Sequence, residues 1–302
     1  HYYTTGRIGS QVVEFPFPVG HECSATVQEV GEAVTKFKPG DRVAVDPAIC
    51  CFTCDQCRAG RHHTCRNLVF MGCPGQIDGC LGEYYVMPEA SLFKIPDSMT
   101  MDEAALVEPL TIGYYAVKLA NMPMKGLNVG ILGAGPIGLS VMVAALYKGA
   151  GQIFFSEPID YRREVAINNG ATLAVNPFEE GIAPIVKHQP DLLDIVFECS
   201  GTQEAVDNAL DLLKPGGKLM MIGIPEFDDF RFSADRMRRK EVCIQNVRRQ
   251  NDCVQETIDM MASGVKTDFL ITHRFPFEQT SEAFDLVAAY DDKVVKAMVH
   301  LT

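Results

Sequence analysis

Residues 128–139 read Asn-Val-Gly-Ile-Leu-Gly-Ala-Gly-Pro-Ile-Gly-Leu, and this stretch decides the fold. Its apolar run, Val129–Leu132, is typical of a buried parallel strand. The segment Leu139–Lys148 is apolar and lacks glycine, so it predicts a helix. Between them stand three glycines at the spacing GxGxxG, namely Gly133, Gly135 and Gly138. Strand, glycine turn and helix in this order favour a turn that binds a dinucleotide.

The three glycines have different physical tasks in such a turn. The first permits a tight turn, the second lets the backbone approach a pyrophosphate, and the third lets the helix pack close to the strand. The diphosphate is expected on the N–H groups at the helix N-terminus. The predicted contacts are Gly133, Gly135, Pro136, Ile137 and Gly138. A glycine-rich turn without a ligand is the alternative interpretation.

An acidic residue after the second strand bears on the choice of dinucleotide. The run Gln152–Ser156 ends at Glu157, nineteen residues beyond Gly138. A carboxylate there can accept hydrogen bonds from both hydroxyls of an adenosine ribose, and it repels a 2′-phosphate. This favours NAD over NADP. Arg162 and Arg163 lie close by and could reach a phosphate, so NADP stays open as the alternative.

Length, charge and cysteine content limit the possible functions. The 302 residues suffice for two domains, and the net charge of −12 without a basic run argues against nucleic acid and anionic membranes as partners. No apolar stretch approaches the roughly 18–20 residues of a membrane span. The eleven cysteines are clustered, which favours metal binding in a reducing, cytoplasmic compartment over a disulfide framework.

Four of the cysteines form a pattern that predicts structural zinc. Cys51, Cys54, Cys57 and Cys65 give the spacing C-x2-C-x2-C-x7-C. Tetrahedral zinc needs four thiolates brought together, and two-residue spacers let a tight loop turn neighbouring sulfurs inward. Disulfides or free thiols are the alternatives, and Cys50 could compete as a ligand.

The order of predicted elements divides the chain into three parts. Residues 1–117 show short strands with turns and predict a β-rich domain, with a zinc lobe at 47–66. Residues 118–264 alternate strand and helix, which predicts a doubly wound parallel sheet. Residues 265–302 are expected to rejoin the first domain. Within 100–115, Pro109 suggests a helix break or a new helix start.

Taken together, these motifs resemble the zinc-dependent medium-chain dehydrogenases over essentially the whole chain. The family's zinc signature is matched by Gly20-His21-Glu22, Gly31, Val34 and Gly40-Asp41-Arg42-Val43, with Ala25 where the family usually has glycine. The resemblance implies a Rossmann domain with a GroES-like catalytic domain. The sorbitol (polyol) dehydrogenases are the most similar branch. Their matching stretches are His1-Tyr2-Tyr3, Gly6-Arg7-Ile8-Gly9, Val107-Glu108-Pro109-Leu110 and Ile271-Thr-His-Arg-Phe-Pro276.

The resemblance implies roles for individual residues. His21 and Glu22 match ligands of a catalytic zinc, and Glu108 matches a carboxylate that binds it directly or through water. From the sequence alone, Glu108 is equally a helix-end carboxylate. The other implied assignments are Tyr2 and Arg249 to polyol hydroxyls, His1 to the end of a proton relay, and Val247 to the coenzyme. An alternative role for Arg249 is to bind the coenzyme diphosphate, and Arg248 lies next to it in the sequence.

Two departures from the family leave the substrate open. The family's remaining zinc ligand is a cysteine five residues before the histidine matched by His1, a position ahead of this sequence. Gln250 stands where polyol dehydrogenases tend to have tyrosine.

The expected reaction is oxidation of a secondary alcohol, in which zinc stabilises the alkoxide and hydride passes to NAD. Alternatives are a sugar phosphate, sugar acid, vicinal diol or threonine as substrate, and a non-catalytic NAD-binding protein. The resemblance also implies a homodimer or homotetramer.

Overall fold

The computed structural model describes residues 2–8 and 11–301, which form two compact units. Unit 1 contains the chain through Thr111 and again from Asn251, and unit 2 is Ile112–Gln250. The chain therefore leaves unit 1 and returns to it. The boundaries expected from the sequence, after residues 117 and 264, stay predictions.

The regular elements alternate along the chain as follows. The strands are β1 Arg7–Ile8, β2 Gln11–Val12, β3 Ser24–Thr26, β4 Arg42–Val45, β5 Ala48–Ile49, β6 Val69–Phe70, β7 Leu92–Lys94, β8 Asn128–Leu132, β9 Gln152–Ser156, β10 Leu173–Val175, β11 Leu193–Glu198, β12 Leu213–Met221, β13 Cys243–Asn246, β14 His273–Pro276 and β15 Ala297–His300. The α-helices are α1 Tyr2–Thr5, α2 Asp55–Arg58, α3 Met101–Leu119, α4 Pro136–Tyr147, α5 Asp160–Asn168, α6 Ala183–His188, α7 Gln203–Leu212, α8 Ala234–Lys240, α9 Val254–Ala262 and α10 Thr280–Ala289. Short 3-10 turns lie at His62–Thr64, Glu89–Ser91, Asp268–Leu270 and Phe277–Gln279.

Unit 2 is built on a parallel sheet with the strand order β10-β9-β8-β11-β12-β13. This confirms the doubly wound sheet predicted from the strand and helix alternation. All six residues of β11 are buried, since helices cover the sheet on both faces. Strand order reverses between β8 and β11, and in such sheets ligands bind outside the carboxyl ends of the strands at this point.

The backbone of the turn after β8 requires glycine at the first and third positions of the motif. Gly133 has a φ of +101°, a left-handed conformation that favours glycine. A Cβ on Gly138 would lie 1.9 Å from the carbonyl oxygen of Gly133. Helix α4 therefore starts directly against the end of β8, and this contact requires the third glycine of the motif.

Unit 1 is rich in short strands, as the sequence predicts. Strands β3, β4 and β7 form an antiparallel sheet, β5 pairs with β6 antiparallel, and β14 pairs with β15 in parallel. The β-rich first domain expected from the sequence is thereby confirmed. Among the described residues, no helix is sufficiently long and apolar to cross a membrane.

The expected helix break at Pro109 is wrong. Helix α3 runs without interruption from Met101 to Leu119, with Pro109 inside it. Its neighbours Leu106 and Leu110 are fully buried, so packing stabilises the helix against the loss of one backbone hydrogen bond. Two residues after the proline, the hydroxyl of Thr111 donates to the carbonyl of Val107 at 2.5 Å.

Asp102, in the first turn of α3, links the helix to the returning segment of unit 1. Its carboxylate accepts from Arg274 Nε at 2.6 Å and lies 2.8 Å from His300 Nε2. Burial alone would raise the pKa of Asp102, but Arg274 and His300 together hold it below its ordinary value. The ionised carboxylate therefore stabilises the folded state.

Asp102→Asn is expected to lower the free energy of unfolding by about 1–2 kcal/mol at neutral pH. Because the folded-state pKa is depressed, the stabilisation is complete above the unfolded pKa of roughly 4 and is lost as the pH falls through the folded value. Urea unfolding followed by circular dichroism across pH 2–7 would show the difference between wild type and variant narrowing below about pH 4. A difference that is constant with pH would contradict the assignment, and the exposed Asp97→Asn serves as the control.

Candidate active site and metal centres

A histidine and two carboxylates from distant parts of the sequence meet in unit 1. His21 and Glu22 lie just before β3, and Glu108 lies on α3. Their candidate ligand atoms all fall within 4.8 Å of one another. The ring of His21 packs edge-on against Phe70, with 5.1 Å between centroids. The structure thus brings together the three residues that the sequence assigned to a catalytic zinc.

Backbone hydrogen bonds fix the loop that carries His21. The segment Pro18–Gly20 lies alongside Gly79–Leu81. Gly79 N donates to Pro18 O at 2.7 Å, Cys80 N to Gly20 O at 3.0 Å, and Leu81 N to Val19 O at 3.1 Å. These three bonds hold the segment that directly precedes His21 against a neighbouring loop.

Lys296 pairs with Glu22 and was not identified from the sequence. Its Nζ forms an ion pair with Glu22 Oε2, and the lysine side chain is only 17% exposed. Burial alone would raise the pKa of Glu22, but the charges of Lys296 and His21 bring it below its ordinary value. Glu22 is therefore an ionised carboxylate, the form that binds a metal. The separation of 274 residues leaves no local signal for this pair.

The donor set of the His21 site fits zinc. Imidazole nitrogen and carboxylate oxygen bind zinc at about 2.0–2.2 Å, so atoms that share one ion lie at most about 4.4 Å apart. Three donors grouped within 4.8 Å meet this requirement after small adjustments. Three protein ligands with one further position are typical of a catalytic site, whereas a closed set of four thiolates is typical of a structural one.

The four cysteines of the predicted lobe lie together around α2 and the following turn. Cys65 Sγ is 3.4 Å from Cys51 Sγ and 3.9 Å from Cys54 Sγ, and Cys57 belongs to the same cluster. Tetrahedral zinc with Zn–S bonds of about 2.3 Å places its sulfurs about 3.8 Å apart. All four are free thiols. These sulfur–sulfur distances suit zinc, and the four cysteines do not form the disulfides considered as an alternative.

The environment of these thiols suits a cation. Hydrogen bonds from the Thr53 backbone and hydroxyl and from the Cys54 backbone lower the pKa of Cys51 to about 5. Burial and the neighbouring thiols raise the pKa of Cys57 to about 12. Some thiols are therefore held as thiolates while others resist ionisation, and a divalent cation would stabilise all four as thiolates.

Cys50 does not join the cluster. Its Sγ donates to the carbonyl of His62 at 3.3 Å instead. Burial, with Cys65 nearby, raises the pKa of Cys50 to about 12. Because the Cys50 thiol points to a backbone carbonyl and lies outside the group of four, the competition considered from the sequence is not realised in this arrangement.

In unit 2, Glu157 lies at the carboxyl edge of the sheet beside the glycine turn. It is 4% exposed. Its carboxylate accepts from Ala134 N at 2.7 Å and from Ile159 N at 2.9 Å. The side chain therefore ties the GxGxxG turn to the loop after β9. Each oxygen retains a second lone pair, with which it can accept from a ribose hydroxyl.

The two arginines weighed as phosphate ligands have different surroundings. Arg163 Nη1 donates to the carbonyls of Glu157 and Pro158, both at 2.8 Å, and its Nη2 pairs with Asp160. Arg162 Nη1 lies 3.7 Å from the position of a Cβ on Gly135. The guanidinium of Arg163 is thus bound to residues of its own loop, whereas that of Arg162 lies beside the glycine turn.

The remaining predicted residues stay predictions as to their roles. Tyr2 begins α1, and its hydroxyl donates to Gln11 Oε1 at 3.0 Å. Val247 follows β13 and donates its N–H to Met221 O at 2.8 Å, and Arg249 has a left-handed backbone with φ of +52°. Gly133, Gly135, Pro136, Ile137 and Gly138 lie in the turn and first residues of α4. His1 lies outside the described residues.

One further carboxylate at this sheet edge was not identified from the sequence. Glu198, the last residue of β11, is fully buried. Its Oε1 accepts from Ser200 N, Ser200 Oγ and Gly201 N, each at 2.7 Å. It therefore fixes the loop after β11 at the switch point of the sheet. A lone glutamate at a strand end carries no sequence signal for this role.

Two family models match the chain. The model for the alcohol dehydrogenase GroES-like domain matches residues 1–97, and that for zinc-binding dehydrogenases matches residues 136–263. A sorbitol dehydrogenase from Bacillus subtilis is 35% identical over 303 residues, covering 99% of this chain and 85% of the relative.

Solved structures agree with this result. A zinc-binding dehydrogenase from Sinorhizobium meliloti, bound to NADP, superposes with a TM-score of 0.87 at 30% identity, covering 95% of this chain and 84% of the other. An alcohol dehydrogenase (rspB) from Escherichia coli, in complex with NADH, superposes with a TM-score of 0.86 at 26% identity, covering 92% and 82%.

Proposed function

Because the chain belongs to the zinc-dependent medium-chain alcohol dehydrogenase family, we propose that it oxidises a secondary alcohol of a polyol to a ketone, with NAD as hydride acceptor. The observation that carries the proposal is the convergence of His21, Glu22 and Glu108 in a chain 35% identical to a sorbitol dehydrogenase. In the balanced reaction, the alcohol loses a hydride to NAD and a proton to solvent.

The residues of unit 1 supply the metal site and its charge. His21 offers a neutral nitrogen, while Glu22 and Glu108 offer carboxylate oxygens. Zinc, when bound there, supplies a Lewis acid that stabilises the alkoxide form of the alcohol. Lys296 offsets one of the two carboxylate charges and fixes the position of Glu22. The resemblance assigns Tyr2 and Arg249 to the polyol hydroxyls, and His1 to the transfer of the proton to solvent.

The residues of unit 2 supply the NAD site. The glycine turn and the N-terminus of α4 would hold the diphosphate, and Glu157 would accept from the adenosine ribose. Arg163 donates to the carbonyls of Glu157 and Pro158, so it is not positioned to bind a 2′-phosphate. This supports NAD over NADP as the coenzyme. The NADP- and NADH-bound relatives show that this fold accepts either coenzyme, so the choice depends on such residues.

Glu157→Gln is expected to lower kcat/KM for NAD relative to NADP by about 10- to 100-fold. The estimate corresponds to losing one or two charge-assisted hydrogen bonds of about 1.5–3 kcal/mol and the repulsion of a 2′-phosphate. The ratio of the two kcat/KM values is the readout, because general damage to the fold lowers both. Glu164→Gln, on the exposed face of α5, is the matched control. An unchanged ratio would exclude Glu157 from coenzyme selection.

A substrate panel tests the proposed reaction. The zinc-loaded, full-length protein is assayed for NADH formation with sorbitol and xylitol, and with a sugar phosphate, a sugar acid, a vicinal diol and threonine. The highest kcat/KM is expected for a polyol. A preference for one of the other compounds would keep the chemistry and correct the substrate, whereas no NADH formation despite bound NAD and zinc would favour a non-catalytic protein.

The proposal extends to assembly and location. Strand β13 is an edge of the six-stranded sheet, and pairing of such edges supports a homodimer or homotetramer. Eleven free thiols, four of them in a zinc-type cluster, support a reducing, cytoplasmic compartment.

A further inference from the structure

The segment that returns the chain to unit 1 is fastened to the cysteine lobe by side chains that the proposed function does not use. Asn251, the first residue of this segment, donates through Nδ2 to the carbonyl of Gly60 at 2.8 Å and accepts at Oδ1 from His63 N at 3.4 Å. Next to it, Asp252 Oδ1 lies 3.0 Å from His62 Nδ1. Two consecutive residues of the returning segment therefore bind one turn of the lobe.

This turn of the lobe is itself held by two members of the cysteine cluster. Gly60 N donates to Cys57 O at 3.0 Å, and Cys65 N donates to His62 O at 2.9 Å. Cys57 and Cys65 are the two buried cysteines of the cluster. Because a lobe with little apolar core is ordered mainly by its metal, the turn that Asn251 binds is expected to depend on an intact cluster.

Arg249, two residues ahead of Asn251, has a backbone conformation that requires support from its surroundings. Its φ is +52°, and that of Asp252 is +51°. A left-handed backbone is strained for residues other than glycine, so it persists where neighbouring contacts impose it. On the N-terminal side, Val247 N donates to Met221 O at 2.8 Å. On the C-terminal side, the support is the attachment of Asn251 and Asp252 to the lobe.

We propose that Asn251 is a positioning residue for alcohol oxidation. By binding the lobe it fixes the backbone of Arg249, and with it the guanidinium that is assigned to the substrate hydroxyls. The proposal rests on the proposed function for the role of Arg249, and it deepens that function by giving the cysteine lobe a part in substrate binding. Asn251 acts through Arg249 and not on the substrate itself.

Asn251→Ala is expected to lower kcat/KM for the polyol at least tenfold, mainly through KM. The variant loses both hydrogen bonds to the lobe, so the backbone of Arg249 can relax and its guanidinium leaves the substrate. Loss of one charge-assisted hydrogen bond weakens binding about tenfold or more. If Asn251 were merely structural, the inactive fraction would lower kcat and leave KM unchanged.

The same kinetic data contain two controls. KM for NAD should stay within about twofold of wild type, because the glycine turn is untouched. A rise in KM for NAD in place of KM for the polyol would overturn the proposal, since Arg249 would then bind the coenzyme. Asn67→Ala, at an exposed asparagine two residues beyond Cys65, should behave as wild type.

A double-mutant cycle tests whether Asn251 acts through Arg249. Arg249→Ala removes the group that Asn251 is proposed to position. Adding Asn251→Ala to it should therefore lower kcat/KM by less than about twofold more, because the two residues act as one unit. Losses that multiply in the double variant would overturn the proposal.

Tryptic cleavage reads the contact with the lobe without any alcohol. Trypsin cuts after arginine, and cleavage within a folded protein requires local opening of the backbone. In the zinc-loaded, full-length protein, Asn251→Ala should speed the first cleavage after Arg248 or Arg249 at least fivefold. Cleavage after Arg239, at an exposed site in α8, is followed by mass spectrometry in the same sample and should keep its wild-type rate.

Cys54→Ser extends this experiment to the cysteine cluster. Because it disrupts the lobe, it should speed cleavage after Arg249, relative to Arg239, as Asn251→Ala does. Unchanged cleavage after Arg249 in both variants overturns the proposal, whether or not the protein oxidises any alcohol. Faster cleavage in a protein that is inactive toward every alcohol supports the attachment to the lobe and overturns the substrate role of Arg249 together with the proposed function.

Discussion

Replacing His21 with alanine is expected to lower kcat/KM for alcohol oxidation by at least about 1,000-fold while leaving NAD binding within about twofold of wild type. Loss of the imidazole removes one of three grouped donors, so the metal at this site is expected to be lost. A Lewis acid stabilises the developing alkoxide by several kcal/mol, and about 4 kcal/mol corresponds to about 1,000-fold in rate.

Two measurements on the same sample check this prediction. Atomic emission should show one zinc fewer per chain, and titration with NAD should show unchanged affinity, because the glycine turn belongs to unit 2. His188→Ala is the control, since this exposed histidine ends α6 and lies far from any metal cluster in sequence. Retention of activity and of all zinc by His21→Ala would exclude this residue as a catalytic ligand.

Replacing Cys54 with serine is expected to remove a second, different zinc and to destabilise the protein without altering the His21 site. The lobe has little apolar core of its own, so metal binding provides most of its order. A loss of about 3–4 kcal/mol lowers Tm by roughly 10 °C for a domain of this size. Thermal unfolding by circular dichroism and metal analysis are the readouts.

Cys50→Ser is the matched control for this experiment. Cys50 adjoins Cys51 in sequence, yet its thiol donates to His62 O rather than joining the cluster. It should retain full zinc content and Tm. Equal zinc loss from Cys50→Ser and Cys54→Ser would show that the cluster seen in the structure is not the metal site, and unchanged zinc in both would show that the lobe is not a zinc site.

The sequence predicts the parallel sheet well, for a physical reason. Strand β9 has the predicted bounds, and β8 begins one residue early, because fully buried strands read as short uninterrupted apolar runs. Helix α6 was not predicted from the sequence. The segment Ala183–His188 is short, contains Pro184 and ends in polar residues, so it shows no helical pattern. The sequence expectation also failed at Pro109, where burial of the neighbouring leucines outweighs the local cost of proline.

In the candidate site, too, residues close in sequence could be predicted, whereas contacts between distant residues could not. Adjacent residues such as His21 and Glu22, and the closely spaced cysteines of the lobe, can be recognised from spacing. Glu108 alone is ambiguous and becomes interpretable only when α3 places it beside His21. The ion pair of Lys296 with Glu22 depends on the tertiary fold, so no spacing rule predicts it.

Catalysis by zinc at the His21 site is tested by the rate of polyol-dependent NADH formation as a function of zinc bound per chain. Metal-free, full-length protein is titrated with zinc, and bound zinc and rate are measured at each step. The loaded protein is expected to bind two zincs per chain, one for each cluster. Activity is expected to depend on the His21 site and to be absent from His21→Ala at every zinc concentration. A full rate in protein whose only zinc is bound by the four cysteines would contradict this expectation.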